Sequence, residues 1–227
     1  MAAPIAYEQP TLNRAWEAFL AHVPTILLIW IATAVLAGAG LAVYSVITLV
    51  GVGLSGSASS DTAFTLAAGL GQLGQLPFSI LSSLVGVLFV AVPAMHYDKG
   101  ETITLQAAFA ALLRRPLRYL LAGLLFSLVM GIGFVLCILP GIAVALVMPV
   151  YVNRIFLTDQ SITDAFAASF QAVYRSPHGW DFVGIEVLAW LVVLVVSVCT
   201  CGIGALLAVP VSTFYVQNAA YSKGVIS

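Results

Sequence analysis

Charge is what this sequence has least of. Lysine and arginine number eight and aspartate and glutamate nine in 227 residues, so charged residues make up 7%, against about 25% in a soluble domain. A chain so poor in charge does not fold as a water-soluble globule. Histidine and cysteine are as sparse, at three each. No H-E-x-x-H or other paired metal spacing occurs, and Cys137, Cys199 and Cys201 have no histidine nearby, so no metal or other cofactor is expected. A nucleophile-and-base motif and a pair of intramembrane carboxylates are both missing, which argues against an enzyme. GVGLSG at 51–56 fits G-x-G-x-x-G formally, but it follows an apolar run rather than a strand, which removes the nucleotide reading. The histidines His22, His96 and His178 are scattered and read as amphipathic boundary residues. The first residues, MAAPIAYEQPTLNRAWEAFL, lack a basic region ahead of a short apolar core, so the N-terminus is expected to be kept.

In place of charge there is apolar surface: 62% of residues are hydrophobic and the mean hydropathy is +1.10. Six apolar runs are long enough to be read as spans, at about 23–52, 77–97, 116–138, 141–158, 179–199 and 203–222. The first is about 30 residues, or roughly 45 Å as a helix, against a hydrocarbon core of about 30 Å. It must tilt, bend or project, and Gly38 and Gly40 are the natural bending points. GLSGSASSD at 53–61 reads as a polar connector, and the Gly-rich TAFTLAAGLGQLGQ after it as an outer helix or a re-entrant piece leading to Pro77.

The formal net charge of −1 carries little information, because in a membrane protein the placement of charge matters more than its sum. Arg14, Lys99, Arg114, Arg115, Arg118, Arg154, Arg175 and Lys223 all fall on one side of the six spans. Lysine and arginine in short loops stay inside, so both termini are expected in the cytoplasm and the protein in a bacterial plasma (inner) membrane. Trp16, Tyr97, Tyr119, Tyr174, Trp180 and Tyr221 then line the inner interface.

TLNRAWEAFLAHVP (11–24), ITLQAAFAALLRRP (103–116) and SITDAFAASFQAVYRSP (161–177) share one amphipathic pattern. Leu12, Ala15, Trp16, Phe19 and Val23 share a helical face in the first, Leu105, Ala108, Phe109, Leu112 and Leu113 in the second, and Ile162, Ala165, Phe166, Phe170 and Val173 in the third. Each is too short to span and has the form of a helix lying in the interface. Ser161 with Asp164 three residues on fits a capping box. The exit spans repeat as well, with VAVPA, LVMPV and LAVPV placing Pro93, Pro149 and Pro210 at matching positions. The fold class expected is therefore all-α integral membrane: six transmembrane helices in three pseudo-repeats, each an interfacial amphipathic helix plus a helical hairpin with a Pro-bearing second span. They form a single transmembrane domain over 1–227, with repeat 1 at about 11–97 (carrying an inserted outer segment at about 53–76), repeat 2 at about 103–158 and repeat 3 at about 161–222.

The LPGI turn (Leu139, Pro140, Gly141, Ile142), the segment DQSITDAFAASF with Asp159, Asp164, Ala165 and Ser169, and the late Pro210 with Tyr215 carry a family resemblance. From the third span onward the chain resembles a broad bacterial family of polytopic membrane proteins related to the membrane domain attached to some glycerophosphodiester phosphodiesterases. The resemblance covers about the last 120 residues. It implies a plasma-membrane helical bundle. The phosphodiesterase domain itself is absent from the sequence, and its activity does not carry over.

Ionisable groups inside a membrane are costly and are candidate functional residues by default. Glu186 lies roughly 10 Å into the fifth span, and Arg154 lies within about one turn of that depth on the fourth. Asn153, Gln217 and Asn218 fall near the same level. The candidate site is thus a polar cluster of Asn153, Arg154, Glu186, Gln217 and Asn218, centred on an Arg154–Glu186 ion pair. It reads either as a structural pin or as an anion site facing the cytoplasmic leaflet, since the arginine fork binds phosphate. Cys137, Cys199 and Cys201 fall at outer turns, where free thiols and a disulfide from Cys137 to one of the other two are the alternatives.

The function expected is a non-enzymatic multi-pass membrane protein, a scaffold or accessory subunit in lipid or envelope homeostasis; a small transporter or channel is the alternative. The partners expected are membrane lipids and a membrane protein or a second copy of the chain, with no nucleic acid.

Overall fold

A computed structural model describes residues 2–54 and 61–226, which contain helices and no strand. Residues 55–60, which make up most of the expected connector and include the end of GVGLSG, lie outside the described residues. A 3-10 turn at Pro4–Tyr7 precedes α1 (Leu12–Leu54), α2 (Asp61–Gly86), α3 (Leu88–Lys99), α4 (Leu105–Arg114), α5 (Pro116–Leu136), α6 (Ile138–Ala145), α7 (Met148–Leu157), α8 (Ile162–Arg175), α9 (Gly179–Cys199) and α10 (Ala205–Ser222). Among the described residues five helical stretches are long and apolar enough to cross a membrane: α1, α2 with α3, α5, α6 with α7, and α9. The protein is thus an all-helical membrane protein. The sixth expected span, α10, is not among the five; its 18 residues include Ser212, Thr213, Gln217 and Asn218.

Three local expectations are corrected. Residues 11–24 do not form a separate interfacial helix, because α1 runs on without a break, accommodating Pro24 within it at the loss of one backbone hydrogen bond. TAFTLAAGLGQLGQ is neither a re-entrant piece nor an isolated outer helix, since it is the first half of the continuous α2. LPGI is not a turn: the chain turns two residues earlier, at Cys137 in extended backbone, and LPGI lies in the first turns of α6. Pro140 is tolerated there because the first-turn amides have no helical acceptor.

The chain forms two compact units, Leu27–Gly86 and Met1–Ile26 with Val87–Ser227. Within the first, α2 packs on α1 through small residues. A Cβ added at Gly71 would meet Thr48 and Tyr44, one at Gly74 would meet Ile47 and Val43, and one at Gly51 would meet Ala67. Between lipid-facing helices no hydrophobic force operates, so close backbone approach supplies the attraction. The glycines that weaken a span reading in the sequence are the residues that make this hairpin. Gly40 packs against Phe78, and Gly38 meets open space.

In the second unit α10 is the central helix, packed against α3, α7, α9 and the 3-10 turn. Phe214 and the run Val216–Tyr221 on it are buried, together with Phe182, Leu88, Val92, Val147 and Val150. α8 lies against α7 and α9. Ser161 caps α8, its Oγ accepting from the Asp164 amide at 3.1 Å and donating to the Asp164 carboxylate at 2.5 Å. Thr104 caps α4 through the Ala107 amide. Both caps satisfy amides that a helix start otherwise leaves without acceptors.

Candidate functional site

Consecutive helical residues point about 100° apart, so neighbours at one depth take different partners. On α7 this separates Asn153 from Arg154. The Asn153 side chain is buried against α10, its Nδ2 donating to the Tyr221 hydroxyl at 3.0 Å and to Gln217 Oε1 at 3.4 Å. Gln217 Nε2 in turn donates to the Pro149 carbonyl at 2.9 Å. These three bonds tie α7 to α10 from both sides. On α10 the same rotation turns Asn218 away from Gln217. Its Nδ2 donates to the carbonyls of Ala6 at 2.9 Å and Glu8 at 3.2 Å, holding the N-terminal segment on α10.

The ion pair expected at the centre is not formed: no salt bridge among the described residues joins Arg154 to Glu186. Glu186 is buried on α9 at 1% exposure, and its Oε2 has no hydrogen-bond partner among the described residues. Arg154 is only half-buried, and its Nε is likewise unpartnered. Matching depth, which the 1.5 Å rise supplies, is not matching azimuth. Of the five expected residues the fold therefore brings together Asn153 and Gln217, sends Asn218 to the N-terminal segment, and leaves Arg154 and Glu186 apart.

No family model, curated protein or solved structure matches the chain. The site must be read from its own geometry. Tyr221, read from sequence as an interfacial ring, is buried at 3% exposure and completes the Asn153–Gln217 network. On α8, outside the spans, Tyr174 donates its hydroxyl to the Ala143 carbonyl at 2.6 Å. Burial, with the Glu186 carboxyl adding, pushes the Tyr174 phenol up to about 12, so this bond keeps its proton across the physiological range.

The histidines also depart from expectation. His22 is fully buried, its Nδ1 bonded to the Ala18 carbonyl at 2.7 Å and its Nε2 accepting from the Ile103 amide at 2.9 Å. That pair of partners selects the Nδ1–H tautomer. His96 lies beside it with ring centroids 4.8 Å apart and bonds the Glu101 carbonyl at 2.9 Å. Of the three histidines only His178 is exposed. The spacing of these residues in sequence holds no signal for the pairing, which tertiary packing alone produces.

Cys137, Cys199 and Cys201 carry free, exposed thiols, so the disulfide alternative is not realised. Cys137 occupies the extended break before α6, while Cys199 ends α9 and Cys201 sits with Gly202 in the left-handed turn after it. No group of His, Cys, Asp and Glu suited to a metal occurs among the described residues. An open cleft of about 740 Å³ is lined by Glu8, Gln9, Thr11, Asn13, Arg14 and Glu17. It contains none of the five cluster residues, and its polar groups pair with one another through Arg14–Glu8 and Asn13–Glu17.

Proposed function

We propose that the chain is a non-enzymatic multi-pass protein of a bacterial inner membrane, with both termini cytoplasmic, acting as a scaffold or accessory subunit in lipid or envelope homeostasis. The observation that carries this reading is the use of the inward polar groups. Asn153, Gln217, Tyr221 and Asn218 are engaged in bonds that tie helices and the N-terminal segment together. Groups committed in this way are structural ties, and they are not disposed to receive a substrate. Six passes are part of the proposal, α10 being the sixth, its burial at the centre of its unit explaining why it need not be the most apolar. So is the repeat: the order α4, α5, α6–α7 parallels α8, α9, α10, each beginning with a capped amphipathic helix. The resemblance to the membrane domain attached to some glycerophosphodiester phosphodiesterases belongs to the same proposal.

The second reading, a small transporter, rests on Glu186, an intramembrane carboxyl with an unpartnered oxygen. One experiment separates the two. In a background with the three native cysteines replaced by serine, Glu186→Cys is treated in membranes with a small impermeant thiol reagent. Photo-crosslinkers are placed in parallel at the exposed α9 residues Leu188, Leu191 and Val195. Protection of position 186 with adducts to one defined protein, or to a second copy, is the scaffold outcome. Labelling of position 186 with lipid adducts alone overturns it in favour of transport.

A further inference from the structure

The basic residues of the α4–α5 junction are the most concentrated positive charge in the chain. Arg114 ends α4, Arg115 leaves helical backbone at φ −145° and ψ 59°, and Arg118 lies in the first turn of α5 behind Pro116. The break sets Arg115 and Arg118 against the end of α7, with Arg114 next to them in sequence. Arg115 Nη1 contacts Asp159 Oδ1 at 2.5 Å, and Arg118 Nη2 donates to the Thr158 carbonyl at 2.9 Å. That leaves three positive charges against one carboxylate. Arg118 Nε is buried without a partner, and Arg114 is exposed with no ion pair among the described residues. An unsatisfied donor held beside excess positive charge calls for an anion with several acceptor oxygens, and arginine forks match phosphate.

What continues from these arginines specifies the rest of the ligand. Leu117, Leu121, Leu124 and Leu128 recur at i, i+4, i+7 and i+11 along α5, all more than half exposed. Leu113, before the junction, is exposed as well. A phosphate at the arginines thus has an apolar track leading from it along a helix long enough to cross the membrane. We propose that the α4–α5 junction binds an anionic phospholipid, its phosphate held by Arg114, Arg115 and Arg118 and an acyl chain laid along the leucine face of α5. This inference rests on the membrane placement and not on the scaffold reading.

Purified protein in mild detergent is titrated with phosphatidylglycerol and, separately, with phosphatidylcholine, and bound lipid is counted by native mass spectrometry. Phosphatidylglycerol is expected to bind about tenfold more tightly, the scale of one charge-assisted hydrogen-bonded contact. The triple variant Arg114→Lys, Arg115→Lys, Arg118→Lys keeps every charge, and hence the orientation signal, but loses the forks. It should bind phosphatidylglycerol about tenfold more weakly than the wild type does, whereas Arg175→Lys, at an exposed arginine on α8, should bind it as the wild type does. Millimolar glycerol 1-phosphate should not displace the lipid. Equal binding of the two lipids, a triple variant that binds like the wild type, or displacement by the soluble phosphate each overturns the proposal, the last by making the ligand a free phosphate. If the triple variant does not fold, Arg114→Lys alone, at a residue with no ion pair to lose, is read the same way with a loss of about threefold.

Discussion

If the buried polar network is a structural tie, Asn153 and Tyr221 must be energetically coupled. Asn153 Nδ2 donates to the Tyr221 hydroxyl at 3.0 Å and more weakly to Gln217 Oε1 at 3.4 Å, and all three side chains are buried. Side-chain hydrogen bonds inside membrane proteins are worth about 0.6 kcal/mol on average and reach about 1.7; a donor or acceptor stranded in a buried site costs about 1–3 kcal/mol. Asn153→Leu removes both bonds and strands Gln217 Oε1 and the tyrosine hydroxyl, for an expected loss of about 2 kcal/mol. Tyr221→Phe removes one hydroxyl and costs about 1 kcal/mol. In the double variant two apolar groups face each other where a polar atom was stranded, so the total should fall short of the sum by about 1 kcal/mol. Reversible unfolding in mixed micelles with rising dodecyl sulfate, followed by tryptophan fluorescence, gives all three values. Additivity within about 0.3 kcal/mol, or an Asn153→Leu midpoint equal to the wild type, would refute the reasoning. An Asn153→Leu protein of unchanged stability that has lost its cellular role would point to a ligand instead.

Replacing the Glu186 carboxyl by Glu186→Gln should cost less than about 1 kcal/mol, whereas breaking a buried ion pair costs about 3–5; by the same logic the swap Arg154→Glu with Glu186→Arg should not rescue either single reversal, and rescue would show a pair that the fold lacks. Gly179→Ala should lower folded yield and stability by about 1–3 kcal/mol, because the added Cβ overlaps the Val173 carbonyl at the α8–α9 joint, while Gly184→Ala, with nothing within 4 Å, should be neutral in the same unfolding assay. Ser161→Ala should cost about 1 kcal/mol through the lost cap of α8, and an unchanged unfolding midpoint would count against the cap. Cys137, Cys199 and Cys201 should all react with an impermeant maleimide added from the periplasmic side and appear as free thiols in non-reducing mass spectrometry; labelling only from the cytoplasmic side would invert the orientation.

The sequence alone determined that this is a helical membrane protein, because scarcity of charge and the lengths of apolar runs are properties of composition and need no partner to be read. It also located α8, whose capping serine and acid stand three residues apart and so act on one another locally. The boundaries at α1, α2 and α6 were not legible. Pro24 and the glycines of α2 are local breakers whose effect is reversed by context, one absorbed within a long helix and the others used for close packing. Of the candidate site, depth along each helix could be computed from the rise per residue, and it put five polar residues at one level. Azimuth could not, because it depends on how each helix is rotated against its neighbours. That rotation is set by packing around α10, and it decided that Asn153 meets Gln217 and Tyr221, that Asn218 holds the N-terminal segment, that His22 meets His96, and that Arg154 and Glu186 stay apart.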